Sequence, residues 1–241
     1  MDSSNKIIFI AELIGTFVLV VGATGSIVYD EMLGGIFYSN CTMNFNIFQV
    51  SCSISFIAVG HFVALAVAVY VFGKYSMAHF NPAVTIAFFI TRHVKGEQLP
   101  IYFVAQAVGA FLGSIFVLFV IGDYAKLGTN APNLTHDLGT VFGYEIIASI
   151  FLMGVIYIVV YFKKLAMLTG IAIGGIVAID VLLFGEISGA SMNPIRSLAP
   201  AIISGTPSDL WLYWTTPFIG TIIVAAIYKV LSRREKNTNS H

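Results

Sequence analysis

Long apolar runs separated by short polar stretches dominate this chain. Residues 7–28 carry a single charge, Glu12, and about 20 apolar residues suffice to cross the hydrocarbon core of a bilayer. The pattern therefore predicts a membrane protein with six transmembrane helices. The first run is too long for a signal peptide, and no clear cleavage site follows it. The other five runs begin near Val50, Ile101, Val141, Leu165 and Leu210.

Two shorter apolar segments each follow an asparagine–proline pair, Asn81-Pro82 and Asn193-Pro194. Asparagine is a favoured N-cap residue, and proline fits the first turn of a helix, where its missing N–H has no intrahelical partner. Each pair is followed by roughly ten apolar residues, which as a helix would measure about 15 Å, or half of the hydrocarbon core. We therefore predict two half-helices carried by re-entrant loops.

The two halves of the chain repeat one pattern. Each half has a glutamate in its first helix, Glu12 or Glu145, and an asparagine–proline pair between its second and third helices. Three spans per half insert the halves in opposite orientations, which is the inverted repeat found in membrane transport proteins. Non-helical backbone at that depth is tolerated where it lines a cavity. We predict one domain over residues 1–241 built around a pore, with repeats at about 7–121 and 140–231 and a cytoplasmic tail at 232–241.

Composition and charge agree with this architecture. The chain is 58% hydrophobic and 10% charged, whereas soluble domains are about 25% charged. Ten of its 12 lysines and arginines lie near the two termini or in the loops after the second and fourth helices. The positive-inside rule therefore predicts a cell-membrane protein with both termini in the cytoplasm. The basic residues after Ser232 are typical of a juxtamembrane tail and do not indicate a nucleic-acid partner.

Several stretches resemble the aquaporin family, and the resemblance runs from Ala11 to about Leu231. The segment at 79–85, His-Phe-Asn-Pro-Ala-Val-Thr, is close to the family's first signature, with Asn81, Pro82 and Ala83 at its centre. The second signature reads Asn193, Pro194 and Ile195, and it departs from the family, which usually has alanine in the third place. Segments 105–109 and 214–220 add to the resemblance. We expect Ile195 to pack away from the pore.

The resemblance implies a right-handed all-α bundle of six transmembrane helices and two half-helices. It also implies a homotetramer in the lipid bilayer, with one pore per subunit that conducts water and small neutral solutes, and with no cofactor or metal. The family's selectivity filter carries over by spacing to four positions. They are His61, Val181, Ala190 and Arg196.

Each predicted filter residue has a physical role. Arg196 is charged at any relevant pH and would repel cations at the narrowest point, while His61 would make the same side polar. Val181 and Ala190 would leave the opposite side apolar and open. This set resembles the filter of plant vacuolar aquaporins, a subgroup that passes ammonia, so ammonia is a second candidate solute. Glycerol is less favoured, because glycerol-conducting members of the family typically have an aspartate after the arginine and aromatic residues in the filter. This chain has Ser197 after Arg196 and no aromatic residue at the four filter positions.

The amides of Asn81 and Asn193, together with the positive ends of the half-helices, would donate to water at the pore centre and interrupt a proton wire. Glu12 and Glu145 would accept hydrogen bonds from the loop of their own half, with His79 as further structural support. Two alternatives stay open. In a secondary transporter the glutamates would relay protons, and in a closed-pore structural protein the long segment at 30–49 would be adhesive. No catalytic residue set, metal cluster or phosphate-binding loop indicates an enzyme.

The chain has two cysteines, Cys41 and Cys52, both near the predicted outer side. We expect unpaired thiols, with a disulfide between the two, or a bridge between subunits through Cys41, as alternatives. Asn40-Cys41-Thr42 and Asn133-Leu134-Thr135 fit the short N-glycosylation pattern on the same side.

Overall fold

The computed structural model describes residues 3–35, 42–45 and 48–238, and eight α-helices account for most of them. Six helices are long and apolar enough to cross a membrane, as the sequence predicted. The long helices are α1 (Ser3–Met32), α2 (Cys52–Ser76), α4 (Leu99–Val120), α5 (Leu138–Tyr161), α6 (Thr169–Ser188) and α8 (Leu210–Thr238). The two short ones, α3 (Pro82–Ile90) and α7 (Pro194–Ile203), are the predicted half-helices.

The three long helices of each half pack closely together. Helix α1 contacts α2 and α4, α5 contacts α6 and α8, and the pair α2 and α6 joins the halves. Glycines allow the closest approaches, because a Cβ on Gly109 would lie 2.3 Å from the carbonyl oxygen of Leu13, and one on Gly220 would lie 2.7 Å from that of Ile146. Small residues at such crossings let the helix backbones touch, as is common in membrane bundles.

Each half-helix packs against the opposite half of the chain. Helix α3 lies on α8, and α7 lies on α4. The Thr221 hydroxyl of α8 also donates to the carbonyl oxygen of Ala83 in α3, at 3.2 Å. The halves are therefore interlocked around the point where the half-helices begin.

Three features differ from the sequence-based expectations: the segment before α2, the end of α8 and the state of Cys52. A two-stranded antiparallel sheet, β1 (Thr42–Phe45) and β2 (Phe48–Ser51), lies in the segment expected to be a long loop. Helix α8 continues through most of the predicted tail, since its last residues include the good helix formers arginine, glutamate and lysine.

Cys52 is disulfide-bonded, so the expectation of an unpaired thiol there was wrong. Sequence spacing says nothing about the specific geometry that a disulfide requires. Asn40, Cys41 and residues 239–241 lie outside the described residues.

Candidate pore and selectivity filter

The two half-helices begin with the same capping geometry. The Oδ1 atom of Asn81 accepts a hydrogen bond from the backbone N–H of Ala83 at 2.9 Å, and Oδ1 of Asn193 accepts from Ile195 N–H at 3.2 Å. The intervening proline brings no N–H that would need a partner. Each asparagine therefore uses its oxygen to start a helix and keeps its amide nitrogen for other contacts.

Those amide nitrogens tie the halves together. Nδ2 of Asn81 donates to the carbonyl oxygen of Met192, and Nδ2 of Asn193 donates to that of Phe80, both at 2.8 Å. A side-chain amide has two N–H groups. The opposite half of the chain thus fixes one N–H of each asparagine, and the second is available to a solute in the cavity that both residues line.

The loops that lead into the half-helices have strained backbone. Phe80 and Met192, each just before its asparagine, have φ angles of 49° and 53°, and Ala78 and Ala190 have φ angles of 52° and 43°. The left-handed region costs a non-glycine residue about 1–2 kcal/mol. Contacts elsewhere must hold both loops in this conformation.

In the first half these contacts come from Glu12, which is fully buried. Its carboxylate accepts from the backbone N–H groups of His79 at 2.9 Å and Phe80 at 2.8 Å. It also accepts from the Ser76 hydroxyl at 2.6 Å and from Nε2 of Gln106 at 2.8 Å. Four donors therefore surround one carboxylate and stabilise the strained loop.

Glu145 is placed in the same way in the second half. Its carboxylate accepts from the N–H groups of Ser191 at 2.9 Å and Met192 at 3.2 Å, and from the Ser188 hydroxyl at 2.8 Å. Both glutamates thus hold the loop of their own half, and their oxygens are engaged by backbone and side-chain donors.

His79 belongs both to this support and to the cavity wall. Its ring stacks between Phe88 and Tyr102, at centroid distances of 4.7 and 4.5 Å. Nδ1 lies 3.1 Å from Oγ1 of Thr85, whose own proton goes to the carbonyl of Asn81. Nδ1 must therefore be the protonated nitrogen of the neutral ring. Nε2 is buried and has no hydrogen-bond partner among the described residues.

Arg196 and His61 meet at one end of the cavity. Nδ1 of His61 lies 2.9 Å from the carbonyl of Ile57, and Nε2 lies 3.5 Å from Nη2 of Arg196. The ring donates from Nδ1 and presents the Nε2 lone pair to the guanidinium. Nη1 of Arg196 donates to the carbonyl of Gly128 at 3.1 Å and to Oδ1 of Asn130. These hydrogen-bond partners are all neutral, and the buried arginine lines the cavity.

The other predicted site residues are buried away from the cavity lining. Val181 is 2% exposed and Ala190 is fully buried; neither belongs to the lining of the cavity, and their filter role stays a prediction. Ile195 packs against Val20, Ala110 and Ala199, which is the outward packing expected for it. Pro82, Ala83 and Pro194 are buried in the first turns of the half-helices.

The cavity is small and has a mixed lining. Its volume is about 40 Å³, which leaves room for a few water molecules. Most of the lining residues are apolar, so few groups would slow a passing solute. The polar lining residues are His61, His79, Asn81, Ser191, Asn193 and Arg196, and the apolar ones include Leu19, Leu65, Val84, Leu152, Ile156, Ile173 and Val177.

Two supporting residues were missed from the sequence. Asn130 is 6% exposed; it holds Arg196 and the Ser197 hydroxyl through Oδ1 and donates to the carbonyl of Gly189 at 2.8 Å. Nothing distinguishes it in sequence from other polar loop residues. Gln106 had a usable signal, because a lone amide inside an apolar helix must find a partner within the bundle.

Comparison with known proteins agrees with this geometry. The family model for the major intrinsic proteins matches residues 2–228. Nodulin-26 of Glycine max is 35% identical over 230 residues, covering 94% of this chain and 78% of the relative. A probable NIP-type aquaporin of Nicotiana alata is 34% identical with the same coverage.

A solved structure shares the fold. The aquaglyceroporin from Plasmodium falciparum superposes with a TM-score of 0.77 at 24% identity, covering 93% of this chain and 96% of that one. The family match and the curated relatives establish the family as well as the fold, because they extend over almost the whole chain. The chain belongs to the major intrinsic protein (aquaporin) family, and it is a passive membrane channel for water and small solutes, not an enzyme.

Proposed function

We propose that the pore conducts water and also passes ammonia, and that Arg196, His61, Asn81 and Asn193 exclude protons and other cations. The observation that carries this proposal is the pairing of a polar filter end with two fixed asparagine donors at the centre. Water in an apolar tube loses hydrogen bonds worth several kcal/mol unless the wall replaces them. The polar lining residues offer such partners, and the guanidinium supplies a positive charge against cations.

The ammonia proposal rests on the small residues of the predicted filter. Of the four predicted filter residues, His61 and Arg196 have polar side chains, and Val181 and Ala190 are small and apolar. Ammonia is close to water in size. The names of the relatives include an aquaglyceroporin, so glycerol belongs in the same experiment as a larger solute.

We also propose that the channel is a homotetramer in the cell membrane with both termini in the cytoplasm. The basic residues near the termini and in the loops after α2 and α5 support this orientation. The contacts of His93 with Tyr157 and Tyr228 bring the ends of α3, α5 and α8 together on that side, while Arg196 and Asn130 lie near the other mouth. Cross-linking in native membranes and protease cleavage of a C-terminal tag test assembly and orientation.

Stopped-flow light scattering on proteoliposomes tests the function directly. Osmotic shrinkage well above that of empty vesicles, without a proton leak, is expected for the wild type. An outward ammonium gradient should acidify the lumen faster than in empty vesicles if ammonia passes, because ammonia leaves and its proton stays behind. His61→Ala should change the ratio of ammonia to water flux, and Val67→Ala, on the exposed side of the same helix, should leave both unchanged. Well-inserted protein without water flux would contradict the proposal.

A further inference from the structure

The loop that joins α4 to α5 carries the segment Asn133-Leu134-Thr135. It matches the acceptor pattern for N-linked glycosylation, in which asparagine is followed two residues later by serine or threonine. The pattern is short, so the conformation of the segment has to decide whether it can serve as an acceptor.

The three residues form a closed local turn. Oδ1 of Asn133 accepts from the backbone N–H of Thr135 at 3.0 Å and from its hydroxyl at 2.7 Å. A hydroxyl that donates to the amide oxygen brings the third residue of the pattern against the reacting amide. The hydroxyl that the pattern requires thus already contacts the acceptor amide in this conformation.

The acceptor nitrogen keeps one N–H for the reaction. Nδ2 of Asn133 donates to the carbonyl of Glu186 at 3.0 Å, and no described residue accepts from its second N–H. Leu134 is 80% exposed, and Thr135 and His136 are exposed as well. A modifying enzyme can therefore approach the segment from solvent.

The segment also lies on the appropriate side of the membrane, a step that rests on the orientation proposed above. The same loop supplies Gly128 and Asn130 to Arg196, and the backbone N–H of Asn133 donates to the carbonyl of Ile187 at the end of α6, at 3.0 Å. These contacts fix the loop at the mouth opposite the basic cytoplasmic side.

We propose that Asn133 is a site of N-linked glycosylation on the extracytoplasmic face. Nδ2 forms a bond to the anomeric carbon of a saccharide supplied on a lipid-linked phosphate or pyrophosphate. The bond from that carbon to the phosphate oxygen breaks, the lipid phosphate leaves with the electron pair, and Nδ2 loses one proton. The remaining N–H can keep the hydrogen bond to Glu186.

Peptide mass spectrometry of the full chain, expressed in yeast membranes and treated with or without an N-glycosidase, tests this proposal. A glycan on the Asn133 peptide is expected in the wild type and in Thr135→Ser. It should be lost in Asn133→Gln and Thr135→Ala, while Asn40→Gln should retain it. Water flux equal to wild type in Asn133→Gln would show that the variant is folded.

An unmodified Asn133 peptide in folded, conducting wild-type protein would overturn the proposal. Leu134→Cys separates the reasons for that failure. Labelling of this cysteine by a membrane-impermeant maleimide in intact spheroplasts would mean that the orientation is right and the site is not used. Labelling only after permeabilisation would mean that the proposed orientation itself is wrong.

Discussion

In the first half of the chain Glu12 holds the strained loop before Asn81, and in the second half Glu145 holds the loop before Asn193. The match extends to two tyrosines. Tyr102 donates to the carbonyl of Ser76, and Tyr213 in the second half donates to the carbonyl of Ser188, both at 2.7 Å. Both halves thus build the same frame around their half-helix.

The two halves differ in the side chains that they place at the ends of the cavity, although their supporting contacts are alike. Arg196 stands three residues after Asn193, and Val84 stands three residues after Asn81; His61 precedes Asn81 by 20 residues, as Ile173 precedes Asn193. All four line the cavity. One mouth is therefore charged and polar and the equivalent mouth is apolar, so the repeat supplies the frame and a few side chains supply selectivity.

The largest effect is expected from making the two mouths alike. Arg196→Val copies Val84 and should raise proton and cation permeability by about tenfold or more, because a unit charge acts with about 4 kcal/mol over 4 Å at an effective dielectric of 20, and about 1.4 kcal/mol is tenfold. Proteoliposomes with an internal pH dye and an imposed potential measure the leak. Val84→Ala is the matched control, and an unchanged leak in Arg196→Val would place cation exclusion at the half-helix ends alone.

The next largest effect concerns the two buried glutamates. Glutamine in place of Glu12 or Glu145 turns two N–H groups toward the donors, and each hydrogen bond to a charged acceptor contributes about 1.5–3 kcal/mol. We expect both variants to lose about 3 kcal/mol or more, and Glu12→Gln to lose more because Gln106 adds a fourth donor. Thermal unfolding in detergent, followed by tryptophan fluorescence, measures the difference. Equal losses would mean that Gln106 adds nothing.

A smaller effect, of opposite sign, is expected at Asp180. This side chain is fully buried, and neither carboxylate oxygen has a hydrogen-bond partner among the described residues. Its counterpart in the first half, by distance from the asparagine, is the buried Ala68. Because an unsatisfied buried polar group costs about 1–3 kcal/mol, Asp180→Ala should raise the melting temperature. Asp180→Asn keeps the volume and a polar group, so it should not raise the melting temperature. A lower melting temperature in Asp180→Ala would mean that the carboxylate makes a stabilising contact.

The smallest effect is expected on the pH dependence of stability, at the C-terminal ends of the half-helices. After α3 the Thr91 hydroxyl lies 2.8 Å from Nδ1 of His93, and after α7 the Ser204 hydroxyl lies 2.8 Å from the Thr206 hydroxyl. Partial burial lowers the pKa of His93, so the unfolded chain binds its proton more readily than the folded chain. Stability should fall as the pH drops below about 6.5.

His93→Thr copies the second half and should weaken this pH dependence. Melting temperatures of the wild type and the variant between pH 8 and 5, in steps of about one unit, report it. Parallel curves would show that His93 does not contribute.

The six spans and two half-helices could be predicted from the sequence, because lipid leaves an apolar run of about 20 residues one stable conformation. The conformation of the loop that positions Arg196 could not be predicted from the sequence. Ala125, Lys126 and Leu127 have successive φ angles of 46°, 49° and 55°, which no residue preference predicts, and this path places Gly128 and Asn130 on the guanidinium. Motif spacing found Arg196 because it lies in the first turn of the helix that Asn193 caps, and it found His61 on α2, 20 residues before Asn81.

The crossed asparagine bonds also constrain how the chain is made. Asn81 and Met192 are 111 residues apart, and Phe80 and Asn193 are 113 apart. At about 5–20 residues per second, the ribosome needs roughly 6–23 s to synthesise the second partner after the first. During that interval the first half-helix has its own cap and its own glutamate but lacks the bonds to Met192 and Asn193. The pore centre is therefore a late product of synthesis that neither half can complete alone.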